Sequence, residues 1–410
     1  MEKLKFVDTF AGIGGFHIGI EQALGKDNVE CVAFIEIDKD AREVYNKNFN
    51  QDKKIKEFHD ITKVDAKDIP DHDILCGGFP CQAFSINKQN SKKSKIDSDD
   101  ERTYLYKDLA RIAKEKKPKY LFFENVANLA KIIKRKGVKM TGKGSFGFEF
   151  GDILMLDDIK ETFSKIGYNL DCKIYDAADF GVPQQRKRVY IIGKRRDLKE
   201  DIVWLEPEYE SVNLRSILEE EVDESLTVTF KDKTCTSRCF HKDDEQENWM
   251  NSERYYCNKA SEDDTVYKWV QDGTKNKYDL DSTDLDKSDM VWQNKKQAFD
   301  ESISVKNNKK GDRYVITPKS IVMYDTPSGL SRQHERIYSI EGISRTLATF
   351  GHPMYDVDGT IRKLSARESA RCQGFPDSFE VHKNHGKACK QFGNAVCVNV
   401  IESITKENFR

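Results

Sequence analysis

The first two hundred positions alternate short apolar runs with amphipathic stretches. Residues 4–9 and 29–37 are apolar and rich in β-formers. Each is followed by apolar positions at helical spacing, as a loop and helix over 12–24 and a helix over 41–49. The run 73–76 predicts a third strand. In 105–116, Leu105, Leu109, Ile112 and Ala113 share one face of an amphipathic helix, and 120–123 predicts a fourth strand ending just before Glu124. Helix is predicted again over 153–166, then strands over 169–177 and 188–193. Strands separated by helices in this way predict an α/β fold with a doubly wound, mostly parallel sheet.

The pattern changes near Trp204. Between about 231 and 312 the chain is rich in Asp, Lys, Asn and Ser, and tryptophans stand isolated at 249, 269 and 292. Few aliphatic residues remain to build a core, so this stretch reads as a smaller irregular domain with a large charged insertion. Residues 88–100 and 134–151 read as long surface loops. Past 361 the pattern is helical again, and 396–404 forms a closing apolar helix. No internal repeat is present.

Composition narrows the class. The 410 residues are 38% hydrophobic and 34% charged, enough for two or three globular domains. No run reaches the roughly 18 apolar residues of a membrane span. The first residues enter a strand without the apolar stretch of a signal peptide. Ten cysteines without a regular framework suit a reducing compartment, so a cytoplasmic protein is expected. The net charge of −2 argues against a polyanion partner, but local clusters decide such binding. Basic residues cluster at 88–95, 131–143, 186–188 and 194–196.

Two junctions carry candidate chemistry. Phe10-Ala11-Gly12-Ile13-Gly14-Gly15 lies between the first strand and its helix, where bare helix amides approach a polar ligand. His17 stands where the dinucleotide fingerprint has its third glycine, which weakens a nicotinamide reading. Glu36 ends the second strand, as a carboxylate that chelates ribose hydroxyls does. Asp60 and Ile61, after the next segment, suit an adenine amine and ring. The second junction is Gly78-Phe79-Pro80-Cys81. Proline fixes its own backbone and extends its neighbour, which presents the cysteine at a strand end. Taken alone, a buried cysteine is an inert small hydrophobe. The group Cys235, Cys239, His241 and Cys257 fits no standard zinc spacing, and no metal is expected.

Together these motifs resemble the DNA cytosine-5 methyltransferase family. The stretch 10–15 is similar to its S-adenosylmethionine loop and 78–85 to its Pro-Cys nucleophile loop. Phe123-Glu124-Asn125-Val126 resembles its Glu-Asn-Val motif, and Gln184-Gln185-Arg186-Lys187-Arg188 its Gln-x-Arg-x-Arg motif. Stretches 367–379 and 391–396 agree as well, all in the family's order. The resemblance covers roughly 1–200 and 330–405.

It implies a class I S-adenosylmethionine-dependent methyltransferase fold. Residues 1–200 plus 362–410 would form the catalytic and cofactor-binding domain, and 201–361 the DNA-recognition domain. The catalytic residues would be Cys81, Glu124, Arg186 and Arg188. Cys81 attacks cytosine C6, Glu124 contacts N3 and the exocyclic amine, Arg188 contacts O2, and either arginine favours the thiolate. The cofactor would touch Phe10, Gly12, Gly14, Glu36, Ile37, Asp60, Ile61, Pro80, Leu105, Asn394 and Val396. Double-stranded DNA would meet Ser85 in a closing loop, with Arg332, Gln333 and Arg336 reading sequence. Arg345-Thr346-Leu347 resembles the segment supporting that domain. A base within a duplex is out of a thiolate's reach, so the target cytosine would be flipped out. The resemblance further implies a bacterial monomer of restriction–modification or orphan type, with a cognate restriction endonuclease as an admissible partner. A tRNA cytosine-5 methyltransferase on the same scaffold is the alternative.

Overall fold

The computed structural model describes residues 2–80, 104–131, 133–134, 153–206, 212–228, 303–307, 314–318, 322–325, 336–349, 353–358 and 360–409. Cys81, Ser85, the 82–100 loop, the Cys235–Cys257 group, Arg332 and Gln333 lie outside them, as do most of 134–151 and of 231–312. Of Arg336 only the backbone is described. The chain forms two compact units, one of residues 1–176, 187–206 and 395–410, the other of 177–186 and 207–394.

The first unit begins β1 (Leu4–Thr9), α1 (Gly15–Leu24), β2 (Val29–Ile35), α2 (Lys39–Phe49), β3 (Lys56–Phe58) and β4 (Ile74–Gly78). It continues α3 (Tyr106–Lys116), β5 (Tyr120–Val126), β6 (Ile133–Lys134), β7 (Ile153–Leu154), α4 (Met155–Ser164), β8 (Tyr168–Asp176) and β9 (Lys187–Arg195). Seven of these strands make one sheet in the order β3-β2-β1-β4-β5-β9-β8. The first five run parallel, and β9 is antiparallel to both β5 and β8.

Phe6, Val7, Phe34, Leu75, Phe122 and Phe123 are fully buried. Consecutive buried residues mean both sheet faces are covered, as parallel strands require. Helices supply the cover through one apolar face each. Ala41, Val44 and Tyr45 are buried on α2, and Tyr106, Leu109, Ala110, Ile112 and Ala113 on α3. Asp38 starts α2 by accepting the Ala41 amide at 3.2 Å.

Three boundaries differ from the sequence expectation. Strand β5 runs on through Glu124 to Val126, because β9 pairs with it along its whole length. Residues 153–154 form β7 rather than the start of a helix, because they pair with β6. The stretch read as irregular contains β10 (Ile303–Asn307) near its end, and β11 (Tyr314–Pro318) and β12 (Val322–Asp325) follow just beyond it.

Those three strands belong to the second unit, with β13 (Arg336–Ser339), β14 (Met354–Val357), β15 (Thr360–Lys363), α5 (Ala366–Arg371) and α6 (His385–Asn394). The helix α7 (Val398–Asn408) ends the chain in the first unit. Strands β12 to β15 form a four-stranded sheet in chain order. Residues 362–394, grouped with the catalytic part by sequence, pack in this second unit. A buried ion pair ties them in: Arg362 meets Glu368 with two contacts of 2.7 Å, at 5% and 0% side-chain exposure. Glu368 also accepts the Glu219 amide at 3.0 Å and completes a capping box with Ser365.

Candidate active site

In a doubly wound sheet, ligands bind beyond the carboxyl ends of the strands where the strand order reverses. Here that point lies between β1 and β4, which are neighbours and lead to 10–15 and 79–81. The site therefore follows from topology before any side chain is considered.

The loop after β1 is tightly shaped. Phe10 holds a left-handed φ of 51°, uncommon for a bulky residue and characteristic of functional turns. Gly14 has φ 91°, and a Cβ there would lie 2.3 Å from the Phe49 ring, so only glycine fits. Gly14 is also the cap position of α1, and no side chain caps the helix there. A Cβ on Gly12 would meet nothing within 4 Å, so the chain surface is open at that point. The Gly12 amide donates to Glu36 at 2.8 Å, and the Asp38 amide donates to the same carboxylate at 2.7 Å. Burial raises the Glu36 carboxyl above its usual range, while these amides pull it back. Next to it Ile37 is 71% exposed, an apolar side chain in water at a strand end.

Beyond β3, the Asp60 carboxylate accepts the Thr62 hydroxyl at 2.7 Å and amide at 3.1 Å, and pairs with Lys63 at 3.2 Å. The Thr62 hydroxyl, and then Lys63, lower its pKa. Ile61 is buried, and Leu105 is partly buried against the same core. These residues line one end of the sheet in the first unit, together with Val396, whose Cγ1 would lie 3.7 Å from a Cβ on Gly78.

The catalytic candidates divide. Glu124 Oε1 lies 2.9 Å from Arg188 Nε, with both side chains largely buried. The other carboxylate oxygen would be 3.2 Å from a Cβ on Gly78, three residues before Cys81. Asn125, unassigned by sequence, donates to the Phe79 carbonyl at 3.0 Å and so holds the approach to Pro80. Its signal was its place within the Glu-Asn-Val motif. Cys76 in β4 is a contrasting thiol, which burial pushes well above the usual range.

Arg186 falls in the second unit. It is buried and donates to the carbonyls of Gly393 at 3.2 Å and Leu347 at 3.5 Å. Gln184 accepts the Leu347 amide at 3.0 Å and donates to the Cys372 carbonyl at 2.9 Å. Thr346 bonds the Gln185 carbonyl at 2.6 Å, and Arg345 bonds the Gln185 side chain. The Gln-x-Arg-x-Arg motif thus anchors residues 344–347 through its first three members. Asn394 ends α6 in this second unit and is exposed.

Among the described residues no helix is long and apolar enough to cross a membrane, and no group of acidic, His or Cys side chains is arranged to hold a metal ion.

The model of the C-5 cytosine-specific DNA methylase family matches residues 4–410. Type II methyltransferase M.HhaI of Haemophilus parahaemolyticus is 33% identical over 407 residues, covering 98% of this chain and 93% of its own. Type II methyltransferase M1.ScrFI of Lactococcus lactis subsp. cremoris is 31% identical over 408 residues, covering 99% of this chain and 78% of its own. Among solved structures, Entamoeba histolytica methyltransferase EhMeth superposes with a TM-score of 0.57 at 14% identity, over 99% of this chain and 98% of that one. The last likeness concerns the fold alone. With a family match along nearly its whole length and relatives above 30% identity over almost all of it, this chain belongs to the C-5 cytosine-specific DNA methylase family and is a DNA cytosine-5 methyltransferase.

Proposed function

We propose that the protein transfers a methyl group from S-adenosylmethionine to C5 of a cytosine flipped out of a specific duplex DNA sequence, through a covalent bond from Cys81 to C6. The observation that carries this reading is the Glu124–Arg188 pair, with a Glu124 oxygen against Gly78 at the start of the Pro-Cys loop.

The donor's fit rests on the open surface at Gly12, the uncapped α1 terminus, the inward-held Glu36 and the exposed Ile37. Phe10, Gly12 and Gly14 would hold its charged tail, Glu36 its ribose, and Ile37, Asp60 and Ile61 its adenine. Pro80, Leu105 and Val396 would complete the contact. When bound, the donor supplies an electrophilic methyl on a cationic sulfur, so no metal is required.

Cytosine C5 is a weak nucleophile until a thiolate adds to C6. The Cys81 thiolate forms that bond, and the displaced electron pair moves to N3. Glu124 delivers a proton at N3 and Arg188 holds O2, which stabilises the charge that develops there. C5 then takes the methyl group. Loss of the C5 proton to a base returns electrons to the ring, expels the Cys81 thiolate and gives Glu124 back its proton. Flipping costs a few kcal/mol, offset by these contacts. Ser85 would touch DNA, and Arg332, Gln333 and Arg336 would read bases.

The test is labelled methyl transfer to plasmid DNA and to bulk tRNA by the wild type and by Cys81→Ser, followed by bisulfite sequencing. Label confined to one duplex sequence, falling about a thousandfold or more in the variant, is expected. Transfer to tRNA alone, or full activity in Cys81→Ser, would refute it.

A further inference from the structure

We infer that Arg111 on α3 is a positioning residue that sets the Asp60–Val64 turn and thereby the protein's choice of an adenine-bearing donor; the inference rests on the reading of Asp60 and Ile61 as adenine contacts. The turn comes after β3, a strand of three residues at the sheet edge. So short an edge strand does little to orient the chain beyond it.

Within the turn, the Lys63 amide bonds the Asp60 carbonyl at 2.9 Å, and the Asp60 carboxylate is taken up by Thr62 and Lys63. Those bonds are internal to the turn and leave its attitude to the sheet open. Two contacts fix it. Ile61 buries its side chain in the core beside α3. Arg111 spans the turn from the helix, with Nη2 donating to the Ile61 carbonyl and Nη1 to the Val64 carbonyl, both at 2.8 Å.

Asp108, one helical turn earlier, aims the guanidinium by accepting from Nε at 3.3 Å and Nη2 at 3.1 Å. The planar fork suits this task, because two parallel donors lock two peptide planes at once. A lysine ammonium reaches one carbonyl and leaves the other free to rotate. The peptides following Ile61 and Val64 are the locked planes, so the turn that carries the Asp60 carboxylate and the Ile61 side chain is held at one angle to α3. An adenine stacked on Ile61 offers its exocyclic amine to Asp60 only at one such angle.

The experiment measures calorimetric binding of S-adenosylhomocysteine and of its inosine analogue, which has a carbonyl where adenine has the amine. Wild type, Arg111→Ala and Arg111→Lys are compared, with thermal melts to verify folding. Wild type should prefer the adenine compound, since a carboxylate rejects a carbonyl. Arg111→Ala should weaken adenine binding and shrink the preference about tenfold, while inosine binding changes little. Arg111→Lys should recover only part of it. An unchanged preference in Arg111→Ala, or equal weakening of both compounds, would overturn the inference. Wild type that binds neither compound would instead overturn the donor reading, and wild type that binds both equally would overturn the role of Asp60.

Discussion

Glu124 and Arg188 meet diagonally across two antiparallel strands. The residue opposite Glu124 is Tyr190, and Arg188 lies opposite Val126 two positions away. Diagonal neighbours of that kind are within reach of long side chains, so the sheet register itself sets the 2.9 Å contact. Glu124→Gln retains the shape and a hydrogen-bonding amide but has no proton to deliver at N3. Single-turnover methyl transfer should fall about 100- to 1000-fold, with DNA affinity nearly unchanged. A loss of less than about threefold would remove Glu124 from proton transfer. The type and place of this residue were legible in the sequence, but its setting was not. Glu124 and Asn125 interrupt an apolar run and suggest a strand end at 123. The strand continues because β9 pairs with its backbone, and Asn125 is satisfied by the Phe79 carbonyl, neither of which is local information.

At the scale of elements, the parallel core was readable because strands buried on both faces and helices buried on one leave distinct apolar periods. The strands at 303–325 were not, since they sit at and just past the end of a polar, charged stretch that dominates the pattern there, although β10 and β11 pair with each other across a short connection. Residues 362–394 are a second case, which the family resemblance assigns to the catalytic part. The Arg362–Glu368 ion pair joins β15 to α5 within this segment, and the Glu219 amide on Glu368 links it to the rest of the second unit, a partner 149 positions away. Removing one partner strands the other, since Glu368 has no exposed surface. Arg362→Met should therefore destabilise the second unit by about 3–5 kcal/mol. Thermal unfolding should come about 10 °C earlier, with faster amide exchange along α5. Replacing both residues by apolar ones of similar volume should recover only part of the loss, because the Glu219 and Ser365 amides then lose their acceptor. If the single substitution melts with the wild type, the pair is not holding α5 in place.

For the whole molecule, buried titratable groups set the pH range of stability, and they act in opposite directions. Burial raises the carboxyls of Asp8 and Glu36, so the folded chain holds protons there that the unfolded chain releases, and stability falls as pH rises through that range. Burial has the reverse consequence at His72, lowered to about 4 from an ordinary 6.5 while its Nδ1 lies 2.8 Å from the Pro70 carbonyl. Between those values the unfolded chain binds the extra proton, so stability rises with pH and is lost as pH falls from 6.5 toward 4. His17, also buried and lowered, adds in the same sense. The His72 share between pH 7 and pH 5 is about 2 kcal/mol. Asparagine at 72 retains a donor for the Pro70 carbonyl and does not titrate. Urea unfolding of wild type and His72→Asn at closely spaced pH values should give curves that diverge toward acid, with the wild type losing about 2 kcal/mol more by pH 5. Taking the difference between the two proteins cancels Asp8, Glu36 and His17, which both retain. Curves that stay parallel from pH 7 to pH 5 would mean that His72 accepts a proton as readily folded as unfolded, and the acid limit of stability would then have to come from other groups.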